Sequence, residues 1–299
     1  MIFYNGSTGS LGFYFAGALE RHRRQGVALR SRLGEVEILQ RELDTACPTL
    51  DARDVALVEM AAKVSVPACE REPEVAHRTN VEETVATVAG FLDWAASRGF
   101  QPSIVYVSTG HVYASLARGR RATELDATDP RSVYARTKLL AESRLTQLCA
   151  QRRVPLRVAR VFGLVAPRQP PHYVLPALIG RARASSVREI PGLDYSRDYL
   201  DARDVCDCLV RLAVAPSSSP TILNVCSGRP TTIRELLEAV VRTLAPPRDE
   251  LLRLASPAPG RPDDIPWIVG DPGRFVESFG FQPQRISLNQ TVADAIRTG

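Results

Sequence analysis

Ile2-Phe3-Tyr4-Asn5-Gly6-Ser7-Thr8-Gly9-Ser10-Leu11-Gly12 opens with an apolar tripeptide, passes through three glycines at three-residue spacing, and runs into a helical stretch ending near Arg24. Strand, tight glycine turn and helix in that order let a pyrophosphate approach backbone N–H groups at the helix N-terminus. Gly6, Ser7, Thr8, Gly9, Ser10, Leu11 and Gly12 are therefore candidate dinucleotide-binding residues. Outward from this segment the alternation continues. Gly26 leads into a strand at Val27-Ala28-Leu29, Val36 to Leu39 reads as a third strand and Val55 to Met60 as a fourth. Asn80 to Arg98 reads as a long helix, with Val81, Val85, Val88, Leu92 and Ala95 at three- and four-residue spacing. Ile104-Val105-Tyr106-Val107 is a continuous apolar run, the pattern of a strand buried on both faces. The expected fold class is α/β, a Rossmann-type doubly wound parallel sheet, with a smaller mixed α/β C-terminal substrate domain.

After Arg160-Val161-Phe162 the pattern changes to a proline-rich stretch from Pro167 to Pro176, helices over 200–215 and 232–244, and a loop-rich tail from Ala255 to Pro272. Thr231-Thr232 and Glu235 form an N-cap signature for the second of these helices. The expected division is a nucleotide-binding domain at 1–163 with a return segment near 195–225, and a substrate domain at 164–194 and 226–299.

With 44% hydrophobic and 24% charged residues, the 299-residue chain has a globular profile that excludes wholesale disorder. No apolar run approaches the roughly 20 residues that span a bilayer, and the first residues lack a signal peptide's pattern, so a soluble cytoplasmic protein is expected. The net charge of +5 comes from basic residues interleaved with acids, and aromatics are only 6%, which argues against nucleic acid and for small anionic ligands. Six scattered cysteines without a C-x-x-C pair read as free buried thiols, and no metal site is expected.

The end of the second strand normally meets the adenosine ribose, where an acid suits NAD and an arginine suits the 2′-phosphate of NADP. Here the chain runs into Arg30-Ser31-Arg32, so NADP(H) is favoured, with NAD(H) left open. Tyr134 and Lys138 stand at i and i+4 on one helix face. The chain has eight tyrosines and only two lysines, Lys63 and Lys138, so chance supplies about 0.05 such pairs. A compact ammonium that bonds a ribose and lowers a phenol's pKa is a role a guanidinium does not fill. Upstream, the buried strand ends at Ser108-Thr109-Gly110-His111, placing hydroxyls where open α/β sheets bind ligands.

These motifs, in order and over nearly the whole chain, resemble an extended short-chain dehydrogenase/reductase of the NAD-dependent epimerase/dehydratase family, which acts on nucleotide sugars. Gly6-x-x-Gly9-x-x-Gly12 resembles the family's glycine motif, Met60-Ala61-Ala62 its turn after the fourth strand, and Asn80-Val81-Glu82-Glu83-Thr84 its helix start. Ser108-Thr109 with Tyr134-x-x-x-Lys138 resembles its catalytic trio. Arg197-Asp198-Tyr199, Asn224-Val225-Cys226-Ser227-Gly228 and Arg261-Pro262-Asp263-Asp264 resemble its later segments, and the last two look most like the branch containing GDP-4-keto-6-deoxymannose reductases.

The resemblance implies Tyr134 as acid/base, Lys138 as ribose ligand, and Thr109, with Ser108 beside it, as the polarising hydroxyl. It adds Leu43, Met60, Ala61, Ala62 and Asn80 to the glycine loop, Arg30 and Arg32 as the cofactor set. Thr109, Gly110, His111, Gly163, Arg197, Arg261 and Asp264 become the substrate set, the two arginines pairing with a sugar diphosphate. Gly110-His111 stands where family dehydratases carry an acid pair, which argues against 4,6-dehydration, and Gly163 replaces the usual asparagine. The expected function is an NADPH-dependent 4-ketoreductase of a nucleotide 4-keto sugar, working as a homodimer. The alternatives are a 4-epimerase holding NAD(P)+ tightly and a non-catalytic NADP-binding regulatory protein.

Overall fold

The computed structural model describes residues 1–47, 54–246, 248–260 and 264–298. The first half runs β1 (Ile2–Tyr4), α1 (Gly12–Arg21), β2 (Gly26–Ala28), α2 (Val36–Ala46), β3 (Asp54–Glu59), α3 (Val66–Arg71), α4 (Pro73–His77), α5 (Thr84–Ser97), β4 (Gln101–Thr109), α6 (Val133–Arg152) and β5 (Leu156–Val161). Then come β6 (Gly163–Val165), α7 (Val174–Arg183), β7 (Ile190–Pro191), β8 (Ser196–Asp201), α8 (Ala202–Ala213), β9 (Ile222–Val225), β10 (Pro230–Thr232) and α9 (Ile233–Thr243). β11 (Pro257–Ala258), β12 (Trp267–Ile268), α10 (Gly273–Phe279) and α11 (Leu288–Thr298) complete the chain.

One compact unit comprises Met1–Val112, Thr128–Val161 and Cys206–Leu223. Its sheet has the order β2-β1-β3-β4-β5-β9, and the pairs β1–β2, β1–β3, β3–β4 and β4–β5 are parallel. Val55 to Val58 and Ile104 to Val107 are buried at consecutive positions, as a sheet covered on both faces requires. Phe3 meets Phe91 and Trp94 edge-on at 6.0 and 5.6 Å within a core that includes Leu39, Leu43 and Leu145.

Two expectations fail here for one reason. Val36–Leu39 is the first turn of α2, not a strand, so Asp54–Glu59 is the third strand rather than the fourth. Leu39 and Leu43, four apart, share one helix face and are both buried in the core. Leu43 therefore packs against hydrophobic neighbours instead of lining a cofactor site. α2 also lies close to α5: a Cβ at Gly90 would sit 2.6 Å from Val36 Cγ1. The helix expected from Asn80 opens with a π-helical turn, Arg78–Glu83, ahead of α5, an irregularity frequent at functional sites.

The second unit comprises Tyr113–Ala127, Phe162–Val205 and Asn224–Gly299. Its hub is β8, antiparallel to β10 and parallel to both β12 and β6. A second core of Leu175, Leu178, Leu236, Leu237, Val240 and Val292 lies among α7, α9 and α11. α9 begins in the capping box read from the sequence: Thr232 Oγ1 accepts from Glu235 N at 3.1 Å, and Glu235 accepts from Thr232 N at 2.6 Å. The helix expected from residue 200 starts at Ala202, because Leu200 and Asp201 still belong to β8. Residues 113–127 group with this unit, and the segment returning to the first unit is 206–223. All six cysteines are free and buried.

Candidate active site

β1 is followed by Asn5, whose side chain ties the glycine turn to the end of the neighbouring strand β3. Its Oδ1 accepts from Met60 N at 2.8 Å and Ala61 N at 3.0 Å, and its Nδ2 donates to Glu59. Gly6 has φ +67°, and a Cβ there would lie 3.1 Å from Ala61 N. At Gly12 a Cβ would sit 2.2 Å from the Gly6 carbonyl oxygen. Only glycine allows this closure, in which Gly9 N donates to Gly6 O at 2.9 Å. Leu11 caps α1 without a side-chain hydrogen bond. Phe13 N donates to Gly9 O at 3.1 Å and Tyr14 N to Leu11 O at 2.9 Å, so the first turn of α1 is closed on loop carbonyls and directs the positive end of the helix toward the glycine turn.

At the end of β2 the backbone N–H groups of Arg30 and Ser31 donate to the Glu42 carboxylate at 3.0 and 3.1 Å, and Arg32 N donates to Glu35 at 2.9 Å. Both arginine residues are exposed, and neither guanidinium forms an ion pair among the described residues. The backbone is pinned from below by α2 while the cationic side chains remain at the surface.

Ser132 caps α6, accepting from Ala135 N at 3.2 Å, and fixes the helix that carries the tyrosine and lysine. Tyr134 is half-buried and Lys138, one turn on, is only 3% exposed. Lys138 Nζ lies 4.2 Å from the ring centroid of Tyr106 on β4. Burial pushes the Lys138 ammonium down, to about 8, against the opposing pull of the Glu59 and Glu142 charges. Burial likewise pushes the Glu59 carboxyl up, to about 7, although Asn5, Lys138 and Ala61 N favour its charge. The Tyr106 hydroxyl, buried without a hydrogen-bond partner among the described residues, is held far above an ordinary phenol by desolvation.

Ser108 and Thr109 end β4, yet the structure separates their tasks. Ser108 Oγ donates to Glu142, which also receives Arg160 Nη2 at 2.7 Å and Nε at 3.2 Å. Ser108 is therefore committed to a buried ion pair. Thr109 Oγ1 accepts from His111 N at 3.2 Å in the 3-10 turn Gly110–Val112 and keeps its own hydroxyl hydrogen for another acceptor. Asn80 is completely buried, with Oδ1 accepting from Lys63 N at 2.7 Å and Nδ2 donating to Lys63 O and Thr137 Oγ1. Its side chain locks the segment after Met60-Ala61-Ala62 to α6, so its part in the site is positional.

In the second unit, Arg197 lies on β8 beside Tyr195, its guanidinium carbon 5.6 Å from the ring centroid and Nη1 donating to Ser196 O at 3.0 Å. Gly163 packs so closely on β8 that a Cβ would lie 2.6 Å from the Asp198 carbonyl oxygen. No larger residue, asparagine included, fits that backbone. Asp264 is half-buried, and Arg261 lies outside the described residues.

Reading the sequence for chemistry missed the buried polar frame: Asn5, Glu59, Tyr106, Glu142, Arg160 and Asp198. Asp198 is fully buried and accepts from Ser227 N, Ser227 Oγ, Gly228 N and Gly270 N at 2.6–3.3 Å. Burial raises its pKa against those four donors. Glu142, four residues after Lys138 on α6, was the one member with a local signal. Among the described residues no His/Cys/Asp/Glu cluster suits a metal ion, and no helix is long and apolar enough to cross a membrane.

The chain is similar to known proteins over most of its length. Residues 5–226 match the model of the NAD dependent epimerase/dehydratase family. The chain is 28% identical over 244 residues to the GDP-6-deoxy-D-mannose reductase of Pseudomonas aeruginosa, covering 79% of this chain and 77% of that protein. It is 26% identical over 222 residues to the dTDP-6-deoxy-L-talose 4-dehydrogenase (NAD(P)(+)) of Kitasatospora kifunensis, covering 72% and 67%. Among solved structures, RMD from Pseudomonas aeruginosa complexed with NADPH superposes with a TM-score of 0.79 at 25% identity, over 99% of this chain and 98% of that one. Thermotoga maritima UDP-glucose 4-epimerase with UDP-glucose shares the fold, with a TM-score of 0.83 at 18% identity, over 99% and 97%. With the glycine turn, the strand-end hydroxyls and the tyrosine–lysine helix all present, the chain belongs to the NAD dependent epimerase/dehydratase family of extended short-chain dehydrogenase/reductases.

Proposed function

We propose that this chain is an NADPH-dependent ketoreductase acting at C4 of a nucleotide-diphosphate 4-keto sugar. The observation that carries the reading is the pairing of a buried Lys138 with a half-exposed Tyr134 one turn earlier on α6. Similarity to the Pseudomonas aeruginosa GDP-6-deoxy-D-mannose reductase supports the direction of the reaction.

The glycine turn fits a dinucleotide, because Gly6 and Gly12 let it close tightly against Ala61 and the Gly6 carbonyl and α1 starts without a side-chain cap. Gly6 to Gly12 would hold the pyrophosphate, Arg30 and Arg32 the 2′-phosphate, and Lys138 the nicotinamide ribose. When bound, the nicotinamide supplies hydride to the sugar carbonyl carbon. Tyr134 passes its phenolic proton to the carbonyl oxygen, and the Thr109 hydroxyl donates a hydrogen bond to the same oxygen. The Lys138 ammonium stabilises the tyrosinate left behind, and Glu59 and Glu142 keep that ammonium charged in spite of its burial. Arg197 and Arg261 would bind the sugar diphosphate through guanidinium forks. We assign the working form to a homodimer through α5 and α6, which leave Val85, Ala89, Leu139 and Leu140 half-buried. A monomer by light scattering at micromolar concentration would overturn that assignment.

The deciding test is to denature freshly purified protein, identify any released nicotinamide by chromatography, and then assay GDP- and dTDP-4-keto-6-deoxy sugars with NADPH. Cofactor-free protein that oxidises NADPH only with a 4-keto sugar supports the reductase. Stoichiometric NAD+ or NADP+ carried through purification points instead to a 4-epimerase. Failure to bind either dinucleotide would remove the catalytic reading altogether.

A further inference from the structure

Tyr106 takes no part in the reaction described above, yet it lies at the centre of the buried polar frame. It is completely buried on β4, flanked in register by Glu59 of β3 and Val158 of β5. Tyr106 and Ser108, two residues apart on one strand, share the sheet face that α6 covers. There Ser108 reaches Glu142, and the Tyr106 ring lies against Lys138. Because β4 is paired on both sides, the ring is a rigid platform.

The hydroxyl does not explain this tyrosine. It has no hydrogen-bond partner among the described residues, and a buried unsatisfied hydroxyl costs stability. The ring face does explain it. Lys138 Nζ stands over the ring at 4.2 Å from the centroid, well inside the roughly 6 Å over which an aromatic face attracts a cation. Among the described residues Nζ makes neither a hydrogen bond nor an ion pair. A carboxylate in contact would fix the ammonium by occupying its N–H donors. A π face attracts the charge and leaves those donors for a ribose hydroxyl and a tyrosinate.

The charges around Lys138 act from further off. Glu59 from β3 and Glu142 from the next turn of α6 favour its charged form. The Glu59 oxygens accept from Asn5 Nδ2 and Ala61 N, and those of Glu142 from Ser108 and Arg160. Tyr134 adds a phenol one turn earlier on the same helix. From the π-helical turn Arg78–Glu83, the uncharged Asn80 reaches α6 at Thr137. Glu70 and Asp93 meet α6 near its two ends, at Val133 N and Arg152.

We propose that Tyr106 is a positioning residue of the candidate site, its ring face seating the Lys138 ammonium so that the N–H donors stay available to cofactor and tyrosinate. Its role presupposes the part given to Lys138 in the reductase reading, but the seat itself is measurable without substrate. Lys63 and Lys138 are the two lysines of the chain. Lysine labelled with carbon-13 at Cε therefore gives two resonances, and Lys63→Arg identifies that of Lys138, whose titration is followed by NMR in the full chain. Tyr106→Phe keeps the ring face and should titrate as wild type does, with an equal or higher urea midpoint. Tyr106→Met fills the space without a π face. It should lower the Lys138 pKa by about one unit or more and raise the NADPH dissociation constant about tenfold. Versions of Tyr106→Phe carrying one, two and three ring fluorines keep the shape while draining the face of negative charge, so the pKa should fall stepwise. That series decides the matter even if the methionine variant does not fold. An unchanged or raised pKa in either, or a phenylalanine variant shifted as far as methionine, would overturn the seat. A wild-type chain that reduces no 4-keto sugar while the fluorine series still moves Lys138 would remove the reductase reading and leave the seat standing. A flat series in an active enzyme would remove the seat alone.

Discussion

Glu142→Gln preserves the shape of a buried side chain and removes its charge, which makes it the sharpest probe of the polar frame behind the site. Glu142 and Arg160 are each 5% exposed at the side chain and approach to 2.7 Å. At an effective dielectric of about 20 the attraction at that distance is roughly 6 kcal/mol. The guanidinium's desolvation is not recovered when the partner is neutralised, while the amide oxygen keeps part of the hydrogen bonding. The net cost should be about 3–5 kcal/mol, a large share of the roughly 5–15 kcal/mol that holds a protein folded. With a urea slope of about 3 kcal/mol/M for a large chain, the unfolding midpoint should fall by about 1–1.7 M. Urea titration followed by far-UV circular dichroism reads this directly. A loss below about 1 kcal/mol would refute the assignment of a tightly coupled internal pair. Glu142→Met/Arg160→Met should recover most of the loss, because removing both charges removes the desolvation cost. A double variant no better than the single one would show that packing, not charge, was measured.

Three further outcomes follow from the geometry. Gly12→Ala forces a Cβ to 2.2 Å from the Gly6 carbonyl, so the turn must open; NADPH affinity by fluorescence titration should fall about tenfold or more, at a stability cost of about 1–3 kcal/mol. Tyr134→Phe should lower kcat about 10²–10⁴-fold and leave the NADPH dissociation constant unchanged, and equal loss in both would place the phenol in binding rather than proton transfer. Glu59→Gln addresses pH: the carboxylate's charge raises the Lys138 pKa against desolvation, and the ammonium is present only below that pKa. Removing the charge should move the alkaline limb of the kcat–pH profile to lower pH, and a limb that stays or moves upward would contradict the coupling.

The catalytic face is legible because its rules are local. Glycines at positions 6, 9 and 12 define a turn by spacing alone, and Tyr134 and Lys138 share a face because four residues make about one helical turn. Even the Thr232–Glu235 capping box lies within three residues. Val36–Leu39 misleads because a short aliphatic run suits strand and helix alike until burial chooses between them. Here Leu39 and Leu43 enter one core on one helix face. Leu43 leaves the cofactor set for the same reason.

What tertiary structure alone decided is which polar groups meet. Asn5 reaches Glu59 across 54 residues, Asn80 reaches Thr137 across 57, and Ser108 reaches Glu142 across 34. No periodicity encodes those distances. Ser108 is tied to Glu142 while the neighbouring Thr109 oxygen accepts from His111 N, a distinction that adjacent residues of similar chemistry do not announce. By itself the sequence determined the parallel α/β scaffold, the glycine turn and the tyrosine–lysine pair, since short-range sterics and helical geometry dictate all three. Folding decided the charge environment of Lys138 and the place of its ammonium over the Tyr106 ring, because desolvation and long-range pairing exist only once distant segments share one interior.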